Sequence, residues 1–252
     1  MKRVLASCLL AILASTTVAH ADQAGFLYTT AVDVTRYGDI ATSLDATKPF
    51  GSEHARIRPF GEFFIYRDTK TANALVPRIY NDNYAGVELG LQFTTPGGFR
   101  SFIEAGSTTT LGTVAAVPSG GDLRAGLQYY REWAQARTQR TYGNFYGSVT
   151  YFSRYQDTLS YNQLEFGTRV GRGNRRTEFY LRPTLTLDTH QYYYSNVAEV
   201  TAGVRFYPFG SHGPTFALEE AAGTYLRNSL LPANVSPTYL DFRPTLAYGV
   251  NI

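Results

Sequence analysis

Apolar and polar side chains alternate one by one along most of this chain. Between Ala85 and Phe93 every second residue is apolar, and Tyr84, Glu88 and Gln92 occupy the other register. Successive side chains of a β-strand point to opposite faces, so the alternation predicts strands with one apolar and one polar face. The same pattern recurs in 122–134, 142–155, 177–188, 197–207 and 238–252.

The alternation predicts an all-β chain of about twelve strands. The predicted strands are 26–36, 40–47, 55–67, 84–95, 99–111, 122–134, 142–155, 159–170, 177–188, 197–207, 214–227 and 238–252. The weakest of these is 40–47. Without it, 26–36 loses its partner in the barrel wall and ten strands remain, and both numbers satisfy the even count of bacterial single-chain barrels.

Three features favour a transmembrane antiparallel outer-membrane β-barrel over a soluble β-sandwich. The predicted strands commonly exceed the length of soluble strands, about 5–6 residues, and are long enough to cross a bilayer at a tilt. Arginine and glutamate occur in mid-strand on the polar face, which a wet lumen permits. Aromatic residues gather near strand ends, as in interfacial girdles: Tyr28, Tyr37, Phe64, Tyr66, Tyr142, Tyr155, Tyr192, Tyr193, Tyr194, Phe206, Tyr207 and Phe209.

The first 21 residues have the pattern of a cleaved Sec-type signal peptide. Lys2 and Arg3 precede a short apolar run, and Ala19-His20-Ala21 supplies small residues two apart. We therefore expect residues 1–21 to be a leader and residues 22–252 to form one barrel in the cell outer membrane. Cleavage of this leader would remove Lys2, Arg3 and Cys8, the one cysteine, and would leave 21 of 23 basic residues against 20 acidic ones, a balance of +1. The charge gives no basis for a nucleic-acid partner.

The direction of the last strand and the three Arg-Pro pairs of the chain lead to two further expectations. If 238–252 ends at the periplasmic rim, segments 68–83, 112–121, 189–196 and 228–237 lie outside the cell. Proline follows arginine at Pro59, Pro183 and Pro244. Because proline removes a ladder hydrogen bond, we expect bulges or sharp bends there.

Several short stretches, in order, resemble the C-terminal barrel of the bacteriophage N4 adsorption protein A family and related exopolysaccharide-secretion outer-membrane barrels. They are Tyr66-Arg-Asp-Thr69, Ile79-Tyr-Asn-Asp-Asn-Tyr84, Tyr146-Gly-Ser-Val-Thr-Tyr-Phe-Ser-Arg-Tyr155, the segment 195–205 and Thr238-Tyr-Leu-Asp-Phe-Arg243. The helical-repeat region of that family has no counterpart here. The resemblance implies a surface-exposed barrel tied to polysaccharide export or to phage adsorption.

The polar face supplies the candidate functional residues, which are predicted to line the lumen: Arg56, Arg58, Glu62, Glu88, Arg100, Glu104, Arg124, Glu132, Arg154, Glu165, Arg169, Glu178, Arg182, Glu199, Arg205, Asp241 and Arg243. Alternating arginine, glutamate and tyrosine could hold a hydroxylated polymer through fork hydrogen bonds and ring stacking. The same residues could instead pair with one another and fill the lumen, since barrels of about eight strands are filled and those of roughly 16 are open.

No catalytic, metal or cofactor motif emerges from the sequence. His54, His190 and His212 remain after the leader, and none has the spacing of a Ser/His or metal site. We therefore expect a non-enzymatic barrel without cofactor, linked to exopolysaccharide export or phage adsorption. The alternatives are a closed-lumen structural or small-solute porin-like barrel and, third, a lipid-modifying enzyme. Expected partners are outer-membrane lipid, the barrel-assembly machinery, and a polysaccharide or phage tail protein.

Overall fold

The computed structural model describes residues 25–33, 39–52, 55–69, 83–95, 97–111, 119–133, 140–172, 175–190, 195–210, 213–233 and 235–251. They form twelve strands: β1 (Gly25–Asp33), β2 (Asp39–Pro49), β3 (Ile57–Asp68), β4 (Tyr84–Thr94), β5 (Phe99–Thr110), β6 (Gly120–Trp133), β7 (Thr141–Phe152), β8 (Asp157–Arg172), β9 (Arg175–Asp188), β10 (Val197–Phe206), β11 (Thr215–Tyr225) and β12 (Thr238–Asn251). A short 3-10 helix spans Asn228–Leu230. The expected leader, residues 1–21, lies outside the described residues. No helix among the described residues is long and apolar enough to cross a membrane.

Each strand pairs antiparallel with its sequence neighbours, and β1 pairs with β12, so the sheet closes into a barrel. The weakest predicted strand, β2, is fully paired: Asp33 faces Asp39 at one end of its ladder with β1, and Gly25 faces Thr47 at the other. The prediction of twelve strands is therefore confirmed, and the ten-strand alternative is wrong. Closure gives both edge strands a partner.

The apolar face of each strand points away from the barrel axis. On β4, Val87 and Leu89 are 57% and 68% exposed, whereas Glu88 between them is 0% exposed. A soluble sandwich would bury the leucine and expose the glutamate. The closed barrel has the opposite arrangement on all sides, with apolar residues exposed and charged residues buried. The fold is therefore that of an outer-membrane β-barrel, with lipid outside and charged residues enclosed.

The barrel has two distinct ends. The terminal rim is the end at which β1 begins and β12 ends, with Gly25 opposite Asn251. The loop rim is the other end, where the longer connections between strands lie. Of the segments expected outside the cell, much of 68–83 and 112–121 and part of 189–196 fall outside the described residues. The connection after β11, which carries the 3-10 helix, is described except for residue 234.

The predicted aromatic girdle is correct only in part. Phe206 and Phe209 are exposed on the outside, but Phe64, Tyr142 and Tyr155 are buried in the interior. Tyr66 and Tyr207 also bond interior carboxylates; Tyr37 and residues 192–194 lie outside the described residues. The outer ring at the terminal rim is built instead from Phe93, Phe99, Trp133, Phe206 and Phe216. Tyrosine has an apolar ring and a polar hydroxyl, so its position near a strand end does not identify its face.

The three prolines do not create bulges. The register of β3 with β4, of β9 with β10, and of β11 with β12 runs through Pro59, Pro183 and Pro244 without an extra residue. At Pro183 the ladder between β8 and β9 instead omits two pairs and resumes in the same register. The expectation of bulges is therefore wrong. Loss of one donor is accommodated by a local gap in the ladder.

Candidate functional site

The candidate site is the inner wall of the barrel, where almost all of the predicted polar residues lie. Arg56 is an exception: it is exposed and precedes β3. Arg154 is the other exception, because it belongs to the turn after β7. Its guanidinium nevertheless reaches inward, and Nη1 donates to Thr108 Oγ1 at 2.8 Å. The remaining predicted residues lie on the inward-facing register of their strands.

Five arginines and five carboxylates on β8–β12 form a network that we call the paired network. Its members are Glu165, Arg169, Arg176, Glu178, Arg182, Glu199, Arg205, Glu219, Asp241 and Arg243. Positive and negative charges are equal in number, and each arginine contacts at least one carboxylate of the set. Buried ions are tolerated when they are paired in this way.

Glu178 is one centre of the paired network. Its Oε1 accepts from Arg176 Nε at 2.7 Å and Arg169 Nε at 3.2 Å. Its Oε2 accepts from Arg205 Nη1 and from the Tyr207 hydroxyl, both at 3.1 Å. Three guanidinium groups thus share one buried carboxylate, which fixes the relative positions of β8, β9 and β10.

Arg243 forms the second centre, at a site only 2% exposed. Two of its nitrogens donate in a fork to Glu199, with Nη1–Oε1 at 2.8 Å and Nη2–Oε2 at 2.7 Å. Its Nε donates to Asp241 Oδ2 at 2.5 Å. Asp241 is two residues away on the same strand, so both side chains point to the same face. The fork geometry links β12 to β10 across β11.

Tyrosines complete the paired network by donating to carboxylates and lying under guanidinium groups. Tyr180 donates to Glu219, which also accepts from Arg182 Nη2 at 2.8 Å. Arg205 Cζ lies 4.3 Å from the Tyr180 ring centroid. The ring lies directly over Gly203, where an added Cβ would be 2.4 Å from Tyr180 Cζ. The glycine is therefore required for the close approach of this ring to the wall.

The opposite wall, β2–β6, carries an acidic cluster: Asp45, Glu62, Glu88, Glu104 and Asp122 around Arg124. Arg124 contacts Asp122 Oδ2 at 3.0 Å, Glu88 Oε1 at 3.1 Å and Glu104 Oε1 at 3.9 Å. Its Cζ lies 4.4 Å from the Phe64 ring centroid. Glu62 lies directly opposite Glu88 in the β3–β4 register. Two carboxyl groups face each other here, and a pair in which both are ionised is destabilising.

Carboxylates at the loop rim hold the ends of the connections. Asp157 Oδ1 accepts from the backbone amides of Thr158, Thr189 and His190 at 2.7, 3.1 and 3.2 Å. The His190 Nδ1 atom lies 3.1 Å from the same oxygen. Asp188 accepts from Asn196 Nδ2 at 2.9 Å and from Ser195. His190 is thus positioned by a loop-capping carboxylate; His54 and His212 lie outside the described residues.

Several members of both clusters were missed by the sequence analysis: Asp45, Asp122, Arg176, Glu219 and the interior tyrosines. Glu219 is followed by Glu220, so alternation alone does not tell which of the two points inward. Asp122 and Arg176 sit near strand ends beside glycine or arginine runs, where the period-two signal fades. One signal could have identified Asp122: an aspartate two residues before an inward-facing arginine lies on the same face, as in Asp241–Arg243, and Asp122–Arg124 has the same spacing.

Among the described residues, no group of three or more histidine, cysteine, aspartate or glutamate side chains is arranged to hold a metal ion. The inner wall is therefore built from ion pairs, hydrogen bonds and ring contacts between protein groups. The closed twelve-strand barrel, its apolar exterior and its charged interior define the protein as an outer-membrane β-barrel.

No family model and no curated protein matches the chain. Similar solved structures include a bacterial polysaccharide outer membrane secretin, 9% identical, with a TM-score of 0.47 over 92% of this chain and 99% of that one. LpxR from Salmonella typhimurium is 9% identical, with a TM-score of 0.43 over 89% and 99%. The β domain of the Bordetella autotransporter BrkA is 14% identical, with a TM-score of 0.39 over 89% and 97%.

Likeness at this level carries no functional assignment, because one fold hosts many functions. With no family model matched, membership of the phage N4 adsorption family stays a prediction.

Proposed function

We propose that this protein is a closed-lumen outer-membrane barrel that acts at the cell surface as an attachment surface, without conducting solutes or catalysing a reaction. The observation that supports a closed lumen is the burial of charged residues on opposite walls. Glu88 on β4, Asp241 on β12 and Arg243 on β12 are 0%, 1% and 2% exposed. Residues that line an aqueous channel would be wet, as in the wide porins.

The pairing within the wall argues against a passage for polysaccharide. A polymer with hydroxyl groups needs guanidinium or carboxylate groups that are open to it. The Arg243 guanidinium donates to Glu199 and Asp241, and the Arg205 guanidinium donates to Glu165 and Glu178. These arginines act as internal struts in the proposed function.

The loop rim supplies the attachment surface. In the connection after β11, Leu226 and Leu230 are 43% and 48% exposed, although Tyr225 and Val197 beneath them form a packed cluster with Leu231 and Val235. A connection that is packed against the barrel end and carries exposed leucines is suited to contact another macromolecule. Phage adsorption is the form of attachment that the sequence resemblance favours.

Planar bilayers test the closed lumen. The purified protein inserted in a bilayer bathed in concentrated KCl should give no stable current steps. Steady ohmic steps with an ion selectivity altered by Arg205→Ser would contradict a closed lumen, because Arg205 would then lie on the conducting path.

Adsorption assays test the surface role separately. Cells that make the full chain should deplete a phage enriched on the native host, and the double variant Leu226→Ser/Leu230→Ser should deplete it less at equal barrel abundance. Equal depletion by cells with and without the protein would overturn the attachment role, whatever the bilayer result.

A further inference from the structure

On the outer, lipid-facing surface of the described residues, one carboxylate lies at half the height of the barrel. Glu220 lies at the midpoint of β11 (Thr215–Tyr225) and is exposed, whereas its neighbour Glu219 is buried inside. A strand tilted by about 40° rises roughly 2.5 Å per residue along the barrel axis. The Glu220 carboxylate is therefore roughly 12 Å from either rim, at the centre of an apolar band about 25 Å tall.

No other charge on the described outer surface lies at this depth. Lys48, Arg67 and Arg131 also point outward, but each is within two residues of the end of its strand. These cations can reach the headgroup region. No described residue forms an ion pair or hydrogen bond with Glu220, so nothing in the described chain offsets the cost of placing it in hydrocarbon.

Small residues lie beside Glu220 on the β10 side, whereas Phe242 of β12, which is 38% exposed, lies directly opposite it on the other side. Ala202 of β10 lies directly opposite Glu220, and the next pair toward the loop rim is Val200 with Ala222, followed by Ala198 with Thr224. Toward the terminal rim the next pair is Val204 with Leu218, which is 47% exposed, followed by Phe206 with Phe216. Small residues let a second backbone approach closely within a membrane, where polar contacts also help association.

The depth of Glu220 restricts what can bind it. Lipid amines lie in the headgroup region, roughly 12 Å away along the strand. A two-fold pair of this chain would place two Glu220 carboxylates side by side, which like charges oppose. The complementary group must come from a different protein and must itself lie at mid-depth.

We propose that the outer face of β10–β11, from Ala198 to Glu220, is a docking surface for a membrane-embedded segment of another protein that presents an arginine or lysine at the bilayer centre. The small side chains admit the backbone of that segment, and Glu220 pairs with its cation. A buried pair is favourable here because each charge alone is costly in hydrocarbon.

Energy transfer in vesicles tests this surface with a defined probe. The fluorescently labelled protein is reconstituted in phosphatidylcholine vesicles with a labelled transmembrane helix of leucine and alanine that carries one central arginine. The helix should associate with the wild-type barrel, and Glu220→Leu should weaken this association by roughly tenfold. A helix with central leucine should bind both proteins at the weak level.

Two outcomes would overturn the proposal. One is equal association of the arginine and leucine helices with the wild-type barrel. The other is full association with Leu164→Glu in the Glu220→Leu background, which places the carboxylate at mid-height of β8 beside Phe145 and Phe166. Binding there would mean that any carboxylate at this depth suffices and the small residues beside Glu220 are irrelevant. Heat-modifiable electrophoretic mobility verifies that each variant is folded.

Discussion

The two walls of the interior accommodate their buried charged residues in different ways. On β8–β12 five arginines meet five carboxylates, and Glu178 lies opposite both Arg169 and Arg205 in the strand registers. On β2–β6 five carboxylates surround Arg124, and Glu62 lies opposite Glu88. The paired network is balanced by direct pairing, while in the acidic cluster five carboxyl groups lie around Arg124; Arg58 and Arg100 also point inward on that wall. Enclosure alone therefore does not make a charged interior stable; the order of charges across neighbouring strands decides it.

The unsatisfied polar atoms lie mostly outside the paired network. Among the described residues, buried atoms without a hydrogen-bond partner include Thr29 Oγ1, Ser43 Oγ, Asp45 Oδ2 and Gln92 Nε2 on β1–β4, and Thr245 Oγ1 on β12. The arginines and carboxylates of the paired network contribute none. Each such atom costs about 1–3 kcal/mol unless water reaches it. The paired network is thus fully hydrogen-bonded, and substitutions in the two walls should differ in both size and sign.

The largest effect is expected from Arg243→Ala in the paired network. It leaves the buried Glu199 and Asp241 carboxylates without their cation and should cost about 3–5 kcal/mol of unfolding free energy. Urea unfolding in lipid vesicles measures this loss. Arg67→Ala, an exposed arginine on the outer face, is the matched control and should change stability little. Similar losses for both variants would contradict the strut role of Arg243.

Glu178→Gln should have the next largest effect. The neutral amide weakens charge-assisted bonds from Arg169, Arg176 and Arg205, with an expected loss of about 2–3 kcal/mol in the same assay. Because Tyr207 also donates to this carboxylate, its phenol should become more mobile, which tyrosine fluorescence lifetimes can follow. An unchanged stability would show that the three arginines find other acceptors.

Gly203→Ala tests the close approach of Tyr180. The added methyl group would displace the ring and break its hydrogen bond to Glu219, at a cost of about 1–3 kcal/mol. Gly121→Ala is the control, since the nearest atom to its added Cβ is 3.9 Å away. If both substitutions are tolerated equally, the ring does not need the glycine.

The smallest effect, and one of opposite sign, is expected from Glu88→Gln in the acidic cluster. Removing one of two facing carboxylates should raise the unfolding free energy by up to about 1 kcal/mol. The gain should vanish in the Glu62→Gln background, because the repulsion is then already gone. A loss of stability in both backgrounds would mean that the Glu88–Arg124 pair outweighs the repulsion.

Much of the fold was predictable from the chain because a period of two is read directly from the residues. The strands and their approximate bounds follow from alternation, although β2 was the weakest of them and only its pairing with β1 and β3 decided between twelve and ten strands. The face that holds each tyrosine was not predictable, and Phe64, Tyr66, Tyr142 and Tyr155 proved to be interior. Alternation assigns a residue to one of two faces, but rings suit both a girdle and a lumen that contains arginine.

The composition of the two interior clusters was less predictable than the strands. Which arginine meets which carboxylate depends on the register between strands, and no local pattern fixes it. Glu219 and Glu220 illustrate the limit, since adjacent identical residues occupy opposite faces. One joins an ion pair with Arg182 and the other faces lipid. Only the closed barrel distinguishes them.

The pairing of β1 with β12 determines when the barrel can close during assembly. Gly25 meets Asn251 only after every intervening strand has been made and delivered, so the seam joins the most distant parts of the sheet in the chain. Until then both end strands present open rows of amides and carbonyls, which invite pairing with the wrong chain. Closure is thus a late and slow event. Until the first and last strands pair, their open edges must be protected from pairing with another chain.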